Sequence, residues 1–422
     1  MSPLKTLQSQ FGLLLFWVFT LLRNADVKRG VFLLYWLEKG ISHQEIGMLQ
    51  SALFWSTLLA EVPTGMLADR FSPRFSLIAG CILRATNGFG YLLLDGFGPF
   101  LLLSCISGVG FSFFSGAEQA YLHDYLSSKG LKEHYARFSA RSKSISAFSL
   151  ASAIVIGGFL AKVSFSVVFF VFALTMTLAS LIAAALPSIR LESQEKATAE
   201  KVSDAPAEEK ARPSILLFLK DRANLSVICL TVCIALFEGA HTPYFIFSQS
   251  VFKKYFSEIS SYTVLLAGVE LLSSFTYATC TRLTSKFKLS TVVLGTLGIS
   301  AISILSNHLG LLSVACVAFV TTMLLPSLMF VEIEAKIQES LPDGIRATFF
   351  SLRSVVESAV ISVSYFFLGK AFDQESAHTA VSYLAIWPAL GILAFFLYQA
   401  LQARNEKASP EAATALPDST RA

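Results

Sequence analysis

Charge is scarce in this chain: Asp, Glu, Lys and Arg make up only 15% of its 422 residues, against about 25% in a soluble domain. A surface so poor in charge excludes full hydration. Period-2 alternation of apolar and polar residues is also missing from the apolar runs, which excludes a transmembrane β-barrel. The six cysteines (Cys81, Cys105, Cys229, Cys233, Cys280 and Cys316) lie in apolar stretches. Only Cys229 and Cys233 stand at i,i+4, with no His beside them, so they read as small buried hydrophobes. No metal site and no cofactor are expected. A Gly-rich phosphate loop ending in Lys is lacking, which argues against ATP as a direct energy source. No nucleophile–base spacing stands out, so the chain does not read as an enzyme. No small-x-small cleavage site follows the apolar run 11–22, and that run is expected to stay as a helix.

Hydrophobic residues, by contrast, reach 54%, with mean hydropathy +0.61. They come in blocks of about 20, the length at which a helix crosses the hydrocarbon core. In lipid the backbone must satisfy its own hydrogen bonds, so these blocks are helices. Twelve spans are predicted near 11–38, 44–68, 74–95, 99–125, 142–161, 165–187, 224–251, 259–281, 289–306, 309–334, 346–369 and 379–401. The net charge of +4 reads as topology rather than nucleic-acid binding. One set of loops collects Arg70, Arg74, Arg137, Arg141, Lys143 and the bases between Arg190 and Arg222, whereas the opposite set has only Lys39, Lys162, Lys253, Lys254 and Lys370. The positive-inside rule then puts both termini in the cytoplasm, the protein being multi-pass in the inner membrane.

Four regions follow: a six-helix bundle over 1–189, a cytoplasmic linker over 190–222, a second six-helix bundle over 223–403, and a disordered cytoplasmic tail over 404–422. Residues 190–213 are rich in Glu, Lys, Ala and Pro, the composition of a solvated segment. The two halves look related. One offset of 212 residues aligns Phe138-Ser139-Ala140-Arg141-Ser142 with Phe350-Ser351-Leu352-Arg353-Ser354, Arg70 with Arg282, and Asp26 with Glu238. Such a parallel repeat is found in transporter halves.

After span 2 the chain reads Glu61-Val62-Pro63-Thr64-Gly65-Met66-Leu67-Ala68-Asp69-Arg70-Phe71-Ser72-Pro73-Arg74. This resembles the signature loop of the major facilitator superfamily, a Gly-x-Leu-Ala-Asp-Arg-x-Gly-Arg-Lys-like run. Gly65, Leu67, Ala68, Asp69, Arg70 and Arg74 match. Ser72 stands where the family prefers Gly, and Pro73 where it prefers a base. The resemblance implies an all-α membrane protein with twelve transmembrane helices in two bundles, and a monomer that needs no protein partner. It also implies a gate in which Asp69 meets the N-terminus of helix 11 near Arg346, and Arg74 pairs with Asp124. Gly65 would let two helices approach closely.

Charges inside the membrane point to the site. In span 1, residues 12–22 reach only about 16 Å and residues 30–37 about 12 Å. Neither crosses alone, so Arg23, Asp26, Lys28 and Arg29 lie near mid-depth, where an unpaired charge costs about 2.5–3.5 kcal/mol. At 100° per residue on an unbroken helix, Asp26 falls between Arg23 and Arg29, while Lys28 points away. Further ionisable residues are Arg84, Glu118, His123, Glu238, His241, Glu270, Glu332, Glu334, Arg353 and Glu357. In the family, helices 1, 4, 7 and 10 line the path, which favours Asp26, Glu118 and Glu238; helix 3 is peripheral, so Arg84 is expected to pair locally or snorkel. A carboxylate in low dielectric can take up and release a proton as its access changes. Glu238 and Glu270 are the first candidates, with His241 as a relay, and Glu357 neutralises Arg353 at i,i+4. Gly157-Gly158 resembles part of an antiporter pattern, but the family's Pro is missing.

The expectation is a secondary transporter that moves a small organic solute by alternating access, coupled to protons or another ion. Efflux of amphipathic compounds is the leading form, on the bacterial look of the signature loop. An anionic metabolite is the rival, on Arg23, Arg29 and Arg353. A transporter-like sensor or scaffold without flux is the reading from another class.

Overall fold

The structure is a computed structural model that describes residues 3–188, 224–341 and 346–408. The predicted linker at 190–222 lies wholly outside these residues. Of the predicted tail, 404–408 continue the last helix, and the rest is outside the described residues.

All secondary structure among the described residues is helical. The first half contains α1 (Pro3–Asn24), α2 (Phe32–Glu38), α3 (His43–Arg70), α4 (Pro73–Leu93), α5 (Phe97–Ser112), α6 (Ala117–Ser128), α7 (Tyr135–Val163) and α8 (Phe165–Ala185). The second contains α9 (Leu225–Lys253), α10 (Ile259–Thr284), α11 (Leu289–Ser306), α12 (Leu312–Leu324), α13 (Pro326–Ser340), α14 (Arg346–Gln374), α15 (Ala377–Ser382) and α16 (Ile386–Ala408). Counting α1–α2, α5–α6, α12–α13 and α15–α16 as broken single crossings, these make twelve spans in two bundles of six. Nine of the twelve are long and apolar enough to cross a membrane by length and composition alone. Of the other three, α1–α2 is broken, its apolar stretch Phe11–Asn24 being short, and α3 and α4 carry charged residues that lower their hydropathy. Lipid-facing side chains ring the outside, among them Leu102, Leu181, Ile302, Phe367 and Leu393.

The face carrying both chain ends is called the near face below, and the other the far face. At the near-face turn after α3, Ser72 accepts a hydrogen bond from the Phe75 amide and Pro73 opens α4. A Ser N-cap followed by Pro at N1 is a strong helix start. The two residues that depart from the family's loop therefore build its turn by capping.

Two breaks support the repeat. Span 4 is interrupted at Phe113–Gly116, where Gly116 takes φ +73° before α6. Span 10 is interrupted at Leu325, where Pro326 opens α13. The offset of 212 places one break on the other.

Span 1 departs from expectation. It is not one helix over 11–38: residues 25–31 leave the helix between α1 and α2. Broken backbone is tolerated at membrane depth only where protein satisfies it, and here the second bundle does so. The Gln249 amide donates to the Arg29 carbonyl (2.9 Å) and accepts from the Leu33 amide (3.3 Å), and the Tyr262 hydroxyl donates to the Gly30 carbonyl (3.2 Å). Gly157 leaves room for the Val27 carbonyl of the same break, and Gly158 for Thr263 of α10. The glycine pair thus serves close packing.

Candidate functional site

Between the bundles, polar links concentrate towards the far face. Besides the Gln249 and Tyr262 bonds, Asp373 accepts from the backbone amides of His43 (3.1 Å) and Gln44 (2.9 Å). His43 Nε2 lies 3.0 Å from the Ser250 hydroxyl, and Lys162 pairs with Glu258. Gly47 and Gly369 let α3 and α14 touch backbone to backbone. Towards the near face, one hydrogen bond crosses among the described residues, from Ser354 to Glu61 (3.3 Å). Among the described residues, the polar links between the bundles therefore lie mainly towards the far face.

The first bundle holds a cavity of about 590 Å³ reached by Arg23, Asn24, Gln119, Ser139, Lys143 and Ser146, among others. Arg23 Nη1 donates to Asn24 Oδ1 (2.8 Å) and lies 3.5 Å from Glu118 Oε2, with its guanidinium 4.4 Å from the Phe114 ring centre. Glu118 Oε1 also accepts from Ser142 (3.3 Å) and Thr20 (3.5 Å).

In the same bundle the expected Arg23–Asp26–Arg29 cluster is replaced by another. Asp26 Oδ2 is 2.7 Å from Arg84 and 3.4 Å from Lys28. Both cations are buried, at 4% and 6% exposure. Phe172 lies under both, Phe111 under Arg84 and Phe32 under Lys28. The helical-wheel expectation fails because the chain unwinds at Ala25, which swings Lys28 towards the acid. Of the two expectations for Arg84, it pairs rather than snorkels, and it does so with Asp26 in the buried interior rather than at the periphery. Arg29 is exposed instead, its guanidinium 4.8 Å from the Phe245 ring centre in α9, and no carboxylate among the described residues lies within ion-pair distance.

The second bundle presents carboxylates. Glu238 Oε2 accepts from Thr242 (2.8 Å) and lies 3.5 Å from His241 Nδ1. Glu357 sits 2.5 Å from Arg353 Nε, the i,i+4 pair expected. Glu270 in α10 is half-buried, and no hydrogen bond or ion pair of its carboxylate is found among the described residues. In a low-dielectric space, such acids can exchange protons with a nearby base and with water.

The gate residues are spread out. A Cβ on Gly65 would meet open space, so no described helix approaches it closely. Arg74 does not pair with Asp124: it donates to the Ala184 carbonyl at the end of α8, where the last helical carbonyls lack partners. Asp124 has His123 beside it instead (3.4 Å). Arg70 is exposed, over Phe71. The side chains of Asp69 and Arg346 lie outside the described residues.

Sequence reasoning missed Lys143, which it counted as a loop base. The helix α7 begins at Tyr135, so Lys143 stands two turns inside it, on a stripe with Ser139, Ser142 and Ser146. That i, i+3, i+4, i+7 spacing was the available signal.

The Major Facilitator Superfamily profile matches residues 29–365. The chain belongs to this superfamily. No curated protein matches its sequence. Solved superfamily-like structures agree with the fold at low identity. The nucleoside transporter NupG superposes with TM-score 0.69 at 12% identity, covering 93% of this chain and 98% of that one. A bacterial homolog of the human lysosomal transporter Spinster, inward-facing and unoccupied, gives TM-score 0.72 at 14% identity, over 95% and 98%. A D-xylose–proton symporter gives 0.68 at 15%, over 92% and 97%. As a superfamily member, this chain is a multi-pass membrane protein of transmembrane transport.

Proposed function

We propose that the protein is a secondary active transporter that moves a small polar organic solute by alternating access and couples it to proton movement. The observation that carries this reading is the partly buried ionisable clusters within the spans of both bundles, Arg23 with Glu118 beside the cavity of the first, and Glu238 with His241 and Arg353 with Glu357 in the second. Glu238 with His241, and Glu357 with Arg353, are the proton-handling groups; one of the similar structures is named a proton symporter. The near face is cytoplasmic by its loop bases, the membrane is the inner one, and the protein works as a monomer. Rocking of the bundles would part the Gln249, Tyr262 and Asp373 links. The first bundle's cavity presents hydroxyls, amides and charges for a solute's polar groups, beside Phe16, Phe111, Phe114, Leu122 and Leu150 for its carbon frame.

The test is solute-induced proton movement in proteoliposomes carrying a pH dye, with pooled polar solutes. A pH change triggered by one pool and lost in Glu238→Gln or Glu357→Gln is expected. Solute binding without flux or pH change in any pool would overturn the transporter reading in favour of a sensor.

A further inference from the structure

The first bundle's wall carries more positive charge than it neutralises. Arg23 and Lys143 reach the cavity, and Glu118 is its one carboxylate. Glu118 is already engaged by Arg23, Ser142 and Thr20. Lys143 has no carboxylate within ion-pair distance among the described residues, and Arg29 adds a second such cation nearer the far seal. Arg23 spends Nη1 on Asn24 and Glu118, while its other nitrogens bond to none of the described residues. The Phe114 ring holds the guanidinium plane, and Asn24, in turn, is tied to the Thr20 carbonyl and Ser146. An oriented guanidinium fork beside an unneutralised ammonium is the donor set that takes a carboxylate or phosphate. A volume of about 590 Å³ is within the range of small-molecule sites.

Resting on the transporter reading, we propose that the solute is a small organic anion, its carboxylate or phosphate held by Arg23 and Lys143 and its hydroxyls by the α7 stripe Ser139, Ser142 and Ser146. The bound anion supplies the negative charge that the wall lacks. Glu118 positions Arg23 and does not itself contact the anionic group. In the other bundle, Glu238 with His241 and Glu357 with Arg353 handle the protons on the proposed function, so the two cargoes occupy different bundles.

Two measurements on the full purified chain test this, and neither needs transport. In the first, Ser139→Cys is modified with an anionic or a cationic methanethiosulfonate, and the peptide carrying the new thiol is followed by mass spectrometry. The anionic reagent is expected to react roughly tenfold faster, the ratio falling towards one in Lys143→Gln. Equal rates, or a faster cationic reagent, overturn the proposal. In the second, inorganic phosphate, succinate and glucose 6-phosphate are compared with uncharged glucose and succinamide by thermal shift. Stabilisation by one of the anions, reduced in both Arg23→Gln and Lys143→Gln, supports the site. Phosphate and glucose 6-phosphate acting without succinate assign phosphate, and the reverse assigns carboxylate. Lys143 is exposed, so its substitution tests the site even where Arg23→Gln fails to fold. Stabilisation by uncharged controls alone, or by none of the anions, overturns the inference. Anion binding with no flux in proteoliposomes would instead overturn the transporter reading and leave the site standing.

Discussion

Asp26 and Glu238 occupy equivalent positions in the two halves, yet their surroundings differ. Around Asp26 the helix is broken and two buried cations share the carboxylate. Around Glu238 the helix α9 runs unbroken from Leu225 to Lys253, and the acid's neighbours are a hydroxyl and an imidazole. A carboxylate that holds two buried cations cannot release its charge without stranding them. One that faces Thr242 and His241 can. On the proposed function, the repeat supplies one acid for architecture and one for chemistry, and the break in span 1 separates the two.

Asp26→Asn breaks this comparison most directly. It leaves Lys28 and Arg84 buried without their acid, and removing one partner of a buried ion network costs about 3–5 kcal/mol. The expected result is a large loss of folded protein, read by size-exclusion profile and thermal midpoint in detergent. Glu238→Gln is expected to shift the midpoint little while abolishing solute-driven pH change. Were the two substitutions equally destabilising, the division of roles would be wrong.

Gln249→Leu has the next largest effect, because it acts on the break that separates the halves. The Arg29 carbonyl and Leu33 amide would lose the buried amide that bonds them, at about 1–3 kcal/mol for each group left unsatisfied. That cost falls on the far-closed state, since parting the bundles would let water reach both groups. Spin labels at the exposed far-face residues Leu94 and Leu309 should report a longer mean distance in the variant. An unchanged distance distribution would remove Gln249 from the seal.

The twelve spans and the repeat were legible because lipid leaves the backbone few options and because apolar runs show directly in composition. The Arg353–Glu357 pair was legible for a related reason: it sits on an unbroken helix, where i,i+4 spacing translates into distance. The Lys28–Asp26–Arg84 triad was not. Its geometry depends on unwound residues 25–31, and a helical wheel assumes the winding it is meant to test. Arg84 was assigned to the periphery by family habit, whereas its aromatic surroundings, Phe111 and Phe172, come from two other helices that sequence spacing cannot bring together. Gln249 left a faint signal, a lone amide in the apolar run Phe245–Phe252, but its partners lie more than 200 positions away.

The smallest effect concerns the outermost link of the seal, which again joins the halves. Lys162 of the first bundle bonds Glu258 of the second, and that bond holds the Glu258 carboxyl below its ordinary range. Because the pKa is lowered in the far-closed state, the link favours closure fully above the ordinary glutamate value. It is lost as pH falls through the lowered one. Acidifying the far side should therefore shift the Leu94–Leu309 distance slightly towards the open form, and Glu258→Gln should remove that pH response, holding the distance near its slightly shifted acid value at every pH. Both charges are solvent-exposed and screened, so the response should shrink further in high salt. A pH response that survives both Glu258→Gln and salt would have to arise deeper in the seal, where His43 lies against Asp373 (3.3 Å).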